Sequence, residues 1–372
     1  MSNATPADSP AEDSWYVEGA DDASGPADDL PTAEGATSAI VTERSGEGIA
    51  PMTLSKDKIK LINYAAELEA NGGRPTEVAF SARVWAQVSL PYRDPGPDKQ
   101  FWVRKNGSIT LKVRPASITN RNGEDTVGYP FGILPRHIMT WMATEALRTE
   151  SPELTLGKSM TGFMEKLQVE RGGTTQARLR TQMERVFGSQ LSVEGLTYGG
   201  EGQGYGLEKR FIQITDATRL WFSENEELDV EGLFASKIIL SEAFYNSIME
   251  RPIPVDPRAL QLLGTKPLTF DIYVWIGYRL YSLEHPTRMA WSDLHVQFGS
   301  QTKRLRDFRK DFHEALQSIQ IIMPKLRYEI EQDYFLLYPS PTPIEQNSRR
   351  KVISLSQARR KAKKPGITDG DS

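Results

Sequence analysis

Apolar side chains recur at helical spacing in one block after another, and short alternating runs lie between the blocks. SKDKIKLINYAAELEA, from Ser55 to Ala70, predicts a helix with Ser55 as N-cap and Asn71, Gly72 and Gly73 as its stop. FWVRKNGSITLKV, from Phe101 to Val113, alternates on either side of Asn106 and Gly107 and predicts a hairpin. ILPRHIMTWMATEALR puts Ile138, Met142 and Ala146 on one side of a helix with Pro135 near its first turn. LGKSMTGFMEKL then turns Met160, Phe163, Met164 and Leu167 inward. After Gly172 and Gly173, TTQARLRTQMERVFGSQ predicts a third helix with Leu179, Met183, Val186 and Phe187 inside and Thr174, Arg178, Thr181 and Arg185 outside. The strand-like runs LSVEGLTY and LEKRFIQIT follow, joined by GGEGQGYG, whose glycines suit an exposed tip.

The same order returns further along. PRALQLLG is short and helical, LTFDIYVWIGYRLYSL is long and apolar, and WSDLHVQFG is short again. QTKRLRDFRKDFHEALQ, from Gln301 to Gln317, sets Leu305, Phe308, Phe312 and Leu316, with Ile319, on one side. Lys303, Arg306, Lys310 and Gln317 lie on the other. KLRYEIEQDYFLLYP closes with two alternating runs that turn near Gln332 and Asp333. Helical layers, a further helix and a hairpin make the layout of a winged helix, a helix-turn-helix variant. The expected fold class is α+β, mainly helical: tandem winged-helix domains with small β-hairpins, between a disordered acidic N-terminal tail and a basic C-terminal tail.

Composition sets the domain limits. Residues 1–50 hold eleven Asp and Glu against Arg44, a net of −10, so the rest of a chain whose total is −4 carries +6. With Trp15 and Tyr16 almost the only large apolar side chains there, that stretch cannot bury enough surface to offset ordering. Residues 51–133 read as a helix and hairpin segment packing on the first winged helix, 134–222 as that winged helix, 223–241 as a linker and 242–340 as the second winged helix. Residues 341–372 read as a basic flexible tail, with Arg349, Arg350, Lys351, Arg359, Arg360, Lys361, Lys363 and Lys364 suited to polyanions. The chain has no cysteine, so disulfides, zinc ribbons and thiol nucleophiles are excluded and a reducing cytosol is suitable. The acidic N-terminus lacks an apolar h-region and nowhere do 18 apolar residues run together, so neither a signal peptide nor a membrane span is indicated, and a bacterial cytoplasmic location is expected.

Little catalytic or cofactor chemistry is legible. LGKS at Leu156–Ser159 ends like a phosphate loop, but Pro152 stands where its first glycine belongs. In GGEGQGYG, Leu207 stands where a dinucleotide loop needs its last glycine. His137, His285, His295 and His313 are the four histidines of the chain, and no two are spaced as a metal pair, so each is expected to be packed or on the surface. Trp141, Trp221, Trp275 and Trp291, set among apolar neighbours, are expected in the core. No metal, cofactor or catalytic activity is expected.

YPFGILPRHIMTWMATEALR, LGKSMTGFMEKL and GGTTQARLRTQMERVF, with LSEAFYNSIMERPIPVDPRALQLLG, FDIYVWIGYRL and AWSDLHVQFG, resemble plasmid-encoded RepA-type replication initiators. The resemblance runs from about Gln87 to Tyr338. It implies binding to repeated double-stranded DNA sites in a plasmid origin through winged-helix domains, help in opening the duplex, and recruitment of a host initiator and replicative helicase. It leaves a homodimer open. Helix phase, not the family, nominates the contacts: Thr174, Arg178, Thr181 and Arg185 on one helix, Lys303, Arg306 and Lys310 on the other, and Lys209 and Arg210 beside the first wing tip. Arg178 or Arg306 would read guanine edges, and Lys303, Lys310, Lys209 and Arg210 would meet phosphates. A transcriptional repressor with the same helices, or a protein-interaction scaffold with merely solvated basic faces, are the alternatives.

Overall fold

The computed structural model describes residues 54–119, 122–157, 159–198, 205–220, 236–264, 266–299 and 302–344. The readings for residues 1–50, for Trp221, for most of the 223–241 linker, for the first wing tip and for the C-terminal basic run fall outside these ranges. Ten helices and fourteen strands occur among the described residues, and every strand pair is antiparallel. No helix among them is long and apolar enough to cross a membrane.

Helix α1 (Lys56–Ala70) begins where Ser55 Oγ accepts from the Lys58 amide, and stops at Asn71 before two glycines with φ of 67° and 76°. Strand β1 (Ala79–Ser81) and helix α2 (Arg83–Gln87) precede a hairpin of β2 (Trp102–Asn106) and β3 (Ile109–Arg114), which turns at Gly107 with φ 53°. A second hairpin, β4 (Ala116–Thr119) and β5 (Asp125–Gly128), leads into α3 (Ile133–Thr149), β6 (Glu153–Gly157), α4 (Met160–Lys166) and α5 (Gly173–Gly188). Strands β7 (Gln190–Tyr198), β8 (Tyr205–Gln213) and β9 (Thr215–Arg219) follow, then β10 (Ser236–Leu240), α6 (Glu242–Glu250) and β11 (Ile253–Val255). Helix α7 (Pro257–Leu263) is capped by Asp256, and α8 (Pro267–Ser282) also starts on a proline, which supplies the required φ where no N–H partner exists. The chain ends its described course with β12 (Thr287–Ala290), α9 (Trp291–Phe298), α10 (Leu305–Ile322), β13 (Tyr328–Ile330) and β14 (Tyr334–Leu337).

Two apolar cores organise these elements. The first takes Ile138 and Met142 of α3, Phe163 of α4, Leu179 and Met183 of α5, and the inner faces of the β2–β3–β7–β8 and β6–β10–β9 sheets. The second takes Trp275 of α8, Trp291 of α9, Phe308 and Phe312 of α10, and Phe335 of β14 in the β12–β14–β13 sheet. Trp141, Trp275 and Trp291 are all buried, as their neighbours predict.

Two expected limits move. Residues 236–241 are not linker: SKIIL alternates buried and exposed, becomes the middle strand between β6 and β9, and is followed by Ser241, whose hydroxyl caps α6. Phe244 and Ile248 of α6 then enter the first core, which therefore extends past residue 222 and includes a helix expected in the second unit. The 51–133 segment is likewise divided. Its hairpin β2–β3 joins β7, but Leu61 and Tyr64 of α1 enter the second core, and β1 pairs with β11.

A buried ion pair joins the two halves. Arg136 of α3 donates to both carboxylate oxygens of Asp271 of α8 at 2.7 Å, with side chains only 4% and 7% exposed. It also donates to the carbonyls of Gly132, Leu90 and Pro91, and stacks on the Tyr92 ring at 5.0 Å. Burial by itself would draw the Arg136 guanidinium down, but Asp271 holds it up. Nearby Arg104, stacked on Trp102 and donating to the Val296 carbonyl, is pulled down to about 10 by its burial.

Candidate nucleic-acid interface

Helix α10 presents two faces that do different work. Phe308, Phe312, Leu316 and Ile319 are at most 1% exposed, packed with Trp275, Trp291 and Phe335 in a cluster of ring contacts. On the opposite side Arg306 and Lys310, one turn apart, are exposed, the Arg306 side chain 86% so, while Lys303, expected on the same helix, is exposed just ahead of the N-cap Arg304. Leu305, expected inside, is 40% exposed, because it begins the helix and overhangs the core. Helix α1 packs along α10, and Lys266 pairs with Glu314 at 3.0 Å.

The approach to α10 is fixed by its neighbours. His295 Nε2 lies 2.6 Å from the Thr302 carbonyl, so that nitrogen carries the proton and donates, while the ring packs on Phe308 at 5.2 Å. Gly299 between them has no room for a Cβ, which would overlap His295. Past the helix, three successive carbonyls of the β13–β14 turn are held. Trp291 donates through its backbone to Asp333 and through Nε1 to Glu331, and Arg309 donates to Glu331 and Gln332 at 3.0 and 2.6 Å while stacking on Trp291 at 5.1 Å. Arg309 was not among the residues nominated by helix phase. Its distance of 22 and 23 positions from Glu331 and Gln332 hides this role, since only the folded hairpin brings the carbonyls to it.

Helix α5 is the counterpart in the first half. Thr174, Arg178 and Thr181 lie on its exposed side, with Thr181 Oγ1 donating back to the Ala177 carbonyl at 3.2 Å. Arg185 departs from the expected exposed row. It pairs with Asp94 at 2.9 Å, donates to the Tyr129 carbonyl at 3.3 Å, stacks on Phe131 and packs against Gly128, so its charge is spent on the protein. Lys209 and Arg210, adjacent on β8, necessarily point to opposite faces. Lys209 lies 3.4 Å from Glu194, and Arg210 is 2.7 Å from Glu208. Thus α10 carries two of its three nominated cations with Lys303 just ahead of it, α5 keeps one arginine and two threonines, and the pair on β8 is split.

The four histidines are packed or on the surface. His137 sits edge-on to Phe270 at 5.4 Å, His295 holds the turn before α10, and His285 and His313 are exposed. Among the described residues no three His, Asp or Glu side chains gather where they could hold a metal ion.

Helices α5 and α10 each have a buried side and an exposed polar or cationic side within a mixed α and β fold of small antiparallel sheets. Residues 129–292 match the family model described as plasmid encoded RepA protein, so the resemblance read from the residues is shown over that segment. The match starts just before α3 and ends within α9, leaving α10 beyond it. Among solved structures, a selenomethionine derivative of domains 2 and 3 of RctB is similar at 14% identity, with 71% of this chain and 99% of that chain covered and a TM-score of 0.48. A second structure of RctB domains 2–3 is similar at 14% identity, covering 68% of this chain and 96% of that one, with a TM-score of 0.44. None of the curated proteins matches this chain.

Proposed function

We propose that the protein is a plasmid replication initiator that binds repeated double-stranded DNA sites at the origin through two winged-helix modules, and that it needs no cofactor to do so. The observation that carries this reading is α10: exposed Arg306 and Lys310 on a helix whose other side is locked in the core, with Lys303 exposed just ahead of its N-cap. The β12–β14–β13 sheet supports the winged-helix reading of that half, and the order of α3, β6, α4, α5 and the β7–β8 hairpin supports it for the first. Arg306 and Arg178 read guanine edges in successive major grooves, Thr174 and Thr181 line the α5 side, and Lys303, Lys310 and Lys209 meet phosphates. Arg185 has no part in this, and Arg210 contributes only from the other face of β8. Bending a flexible site, offset by added contacts, helps open the duplex without a catalytic group. A host initiator and replicative helicase join at the bound origin in the bacterial cytoplasm, and binding as a homodimer fits the repeats.

Titration of a labelled origin repeat with the full chain at several salt concentrations tests the reading. Arg306→Ala is expected to weaken the specific complex by about 1–3 kcal/mol and relax preference at one base position. Lys303→Ala and Lys310→Ala are expected to weaken all sequences alike and to lower the salt slope by about one each. Unchanged affinity in all three variants would leave α10 a solvated helix. Replication of an origin plasmid in a host distinguishes an initiator from a repressor with the same contacts.

A further inference from the structure

The β2–β3–β7–β8 sheet has two unlike faces. Trp102, Val113, Leu191 and Ile212 stand in one cross-strand row and are all buried. Side chains alternate, so the next row, Val103, Lys112, Ser192 and Phe211, faces away from the core. That outward face is not an ordinary solvated one. Phe211 is 78% exposed, and Leu207 and Val103 on the two edge strands are 49% and 44% exposed. Lys105, Lys112, Arg114 and Lys209 share the face by register, with Glu194 the one carboxylate placed there among the described residues, a balance of four cations to one anion. Glu194 lies between Lys112 at 2.7 Å and Lys209 at 3.4 Å.

Three kinds of occupant can be weighed. A second copy applied through a twofold axis would set the same cationic surface against itself, which charge opposes. A DNA duplex offers phosphates, but its bases are stacked inside and leave Phe211 without a partner. An unpaired strand offers phosphates to the lysines and open base faces to the ring at once. We propose that the outward face of β2–β3–β7–β8 binds single-stranded DNA, with Phe211 as the stacking platform and Lys105, Lys112 and Arg114 along the phosphates, Lys209 at the edge being left to the duplex. Three strand gaps make the face about 14 Å across, and four-stranded sheets with exposed aromatics stack two or three bases. The choice of DNA over RNA rests on the origin-opening reading above, in which an unpaired DNA strand arises beside the bound protein.

Anisotropy of a labelled oligo(dT) titrated with the full chain tests this, and Phe211 and Lys105 lie outside the nominated duplex contacts. Phe211→Ala is expected to weaken oligo(dT) binding about 5- to 150-fold, the range for loss of one stacked base, and Phe211→Trp to restore it. Lys105→Ala is expected to reduce the single-strand salt slope by about 0.7. Duplex repeat binding is expected to stay unchanged in both alanine variants. Unaltered oligo(dT) affinity in Phe211→Ala, or a Phe211→Ala change from dimer to monomer on sedimentation, overturns the proposal. Tighter binding of oligo(rU) than of oligo(dT) overturns its assignment to DNA. A wild-type chain that binds oligo(dT) through Phe211 but ignores every duplex repeat would remove the initiator reading and leave this face standing.

Discussion

Removing either member of the Arg136–Asp271 pair should be far more harmful than removing both. Asp271→Ala leaves a guanidinium that is 4% exposed with the carbonyls of Gly132, Leu90 and Pro91 and the Tyr92 ring but no counter-ion. Breaking a buried pair on one side costs about 3–5 kcal/mol, because the remaining charge has lost its counter-ion and cannot reach water. Arg136→Met strands the Asp271 carboxylate and also unpairs those carbonyls, so a loss at the upper end of the same range is expected. In the double variant Arg136→Met with Asp271→Leu neither charge remains, and the cost falls to the unmet carbonyls, about 1–3 kcal/mol. Urea unfolding at pH 7, followed by tryptophan fluorescence, measures all four corners of the cycle, and the double variant should be more stable than either single one. Losses in the double variant equal to the sum of the two single losses would refute the reasoning, since they would mean that the two side chains act independently.

Two further outcomes follow from residues near the proposed site and the joint. Burial first, and Arg136 second, hold the His137 imidazole down to about 4, against about 6.5 in the unfolded chain. Between those values the unfolded chain binds the extra proton, so stability falls as pH is lowered through about 6.5 to 4, by up to about 3 kcal/mol at about 1.36 kcal/mol per pH unit. His137→Gln should flatten that slope in urea midpoints taken at pH 7 and 4.5, and parallel losses in the two proteins would place the effect elsewhere. Arg309→Ala removes two charge-assisted bonds and a stacked cation, for a loss of about 2 kcal/mol. Hydrogen exchange should then quicken across the β13–β14 turn while α5 is unaffected, and unchanged protection at the turn would show that Trp291 alone holds it.

How much of this was legible depended on how local each determinant is. The α10 face could be read because Phe308 and Phe312 recur at helical spacing against Lys303, Arg306 and Lys310, and the whole pattern lies in one segment. The β13–β14 hairpin was legible for the same reason, from alternation on either side of Gln332 and Asp333. Strands β6 and β10 were not, because each has five residues and their pairing joins parts of the chain about eighty residues apart, such as Lys237 and Thr155. Arg185 fits the exposed phase of α5, and nothing within the helix reveals that Asp94 reaches over to it. Asp271 lies inside an apolar run whose periodicity says only that it is buried, and its partner stands 135 positions earlier.

The pairing of early elements with late ones has a consequence for manufacture. Tyr64 donates to Asp256, 192 positions later, β1 pairs with β11, and α1 lies on α7 and α10. At about 5–20 residues per second, a ribosome takes about 10 to 40 s to supply that partner. Through that interval Leu61 and Tyr64 have no core to enter and Arg136 has no counter-ion. A chain interrupted before Asp256 therefore holds an α1 helix with no core to pack on. Interrupted synthesis yields substrates for chaperones and proteases, not half-active molecules, and the amount of working protein is set by completed chains.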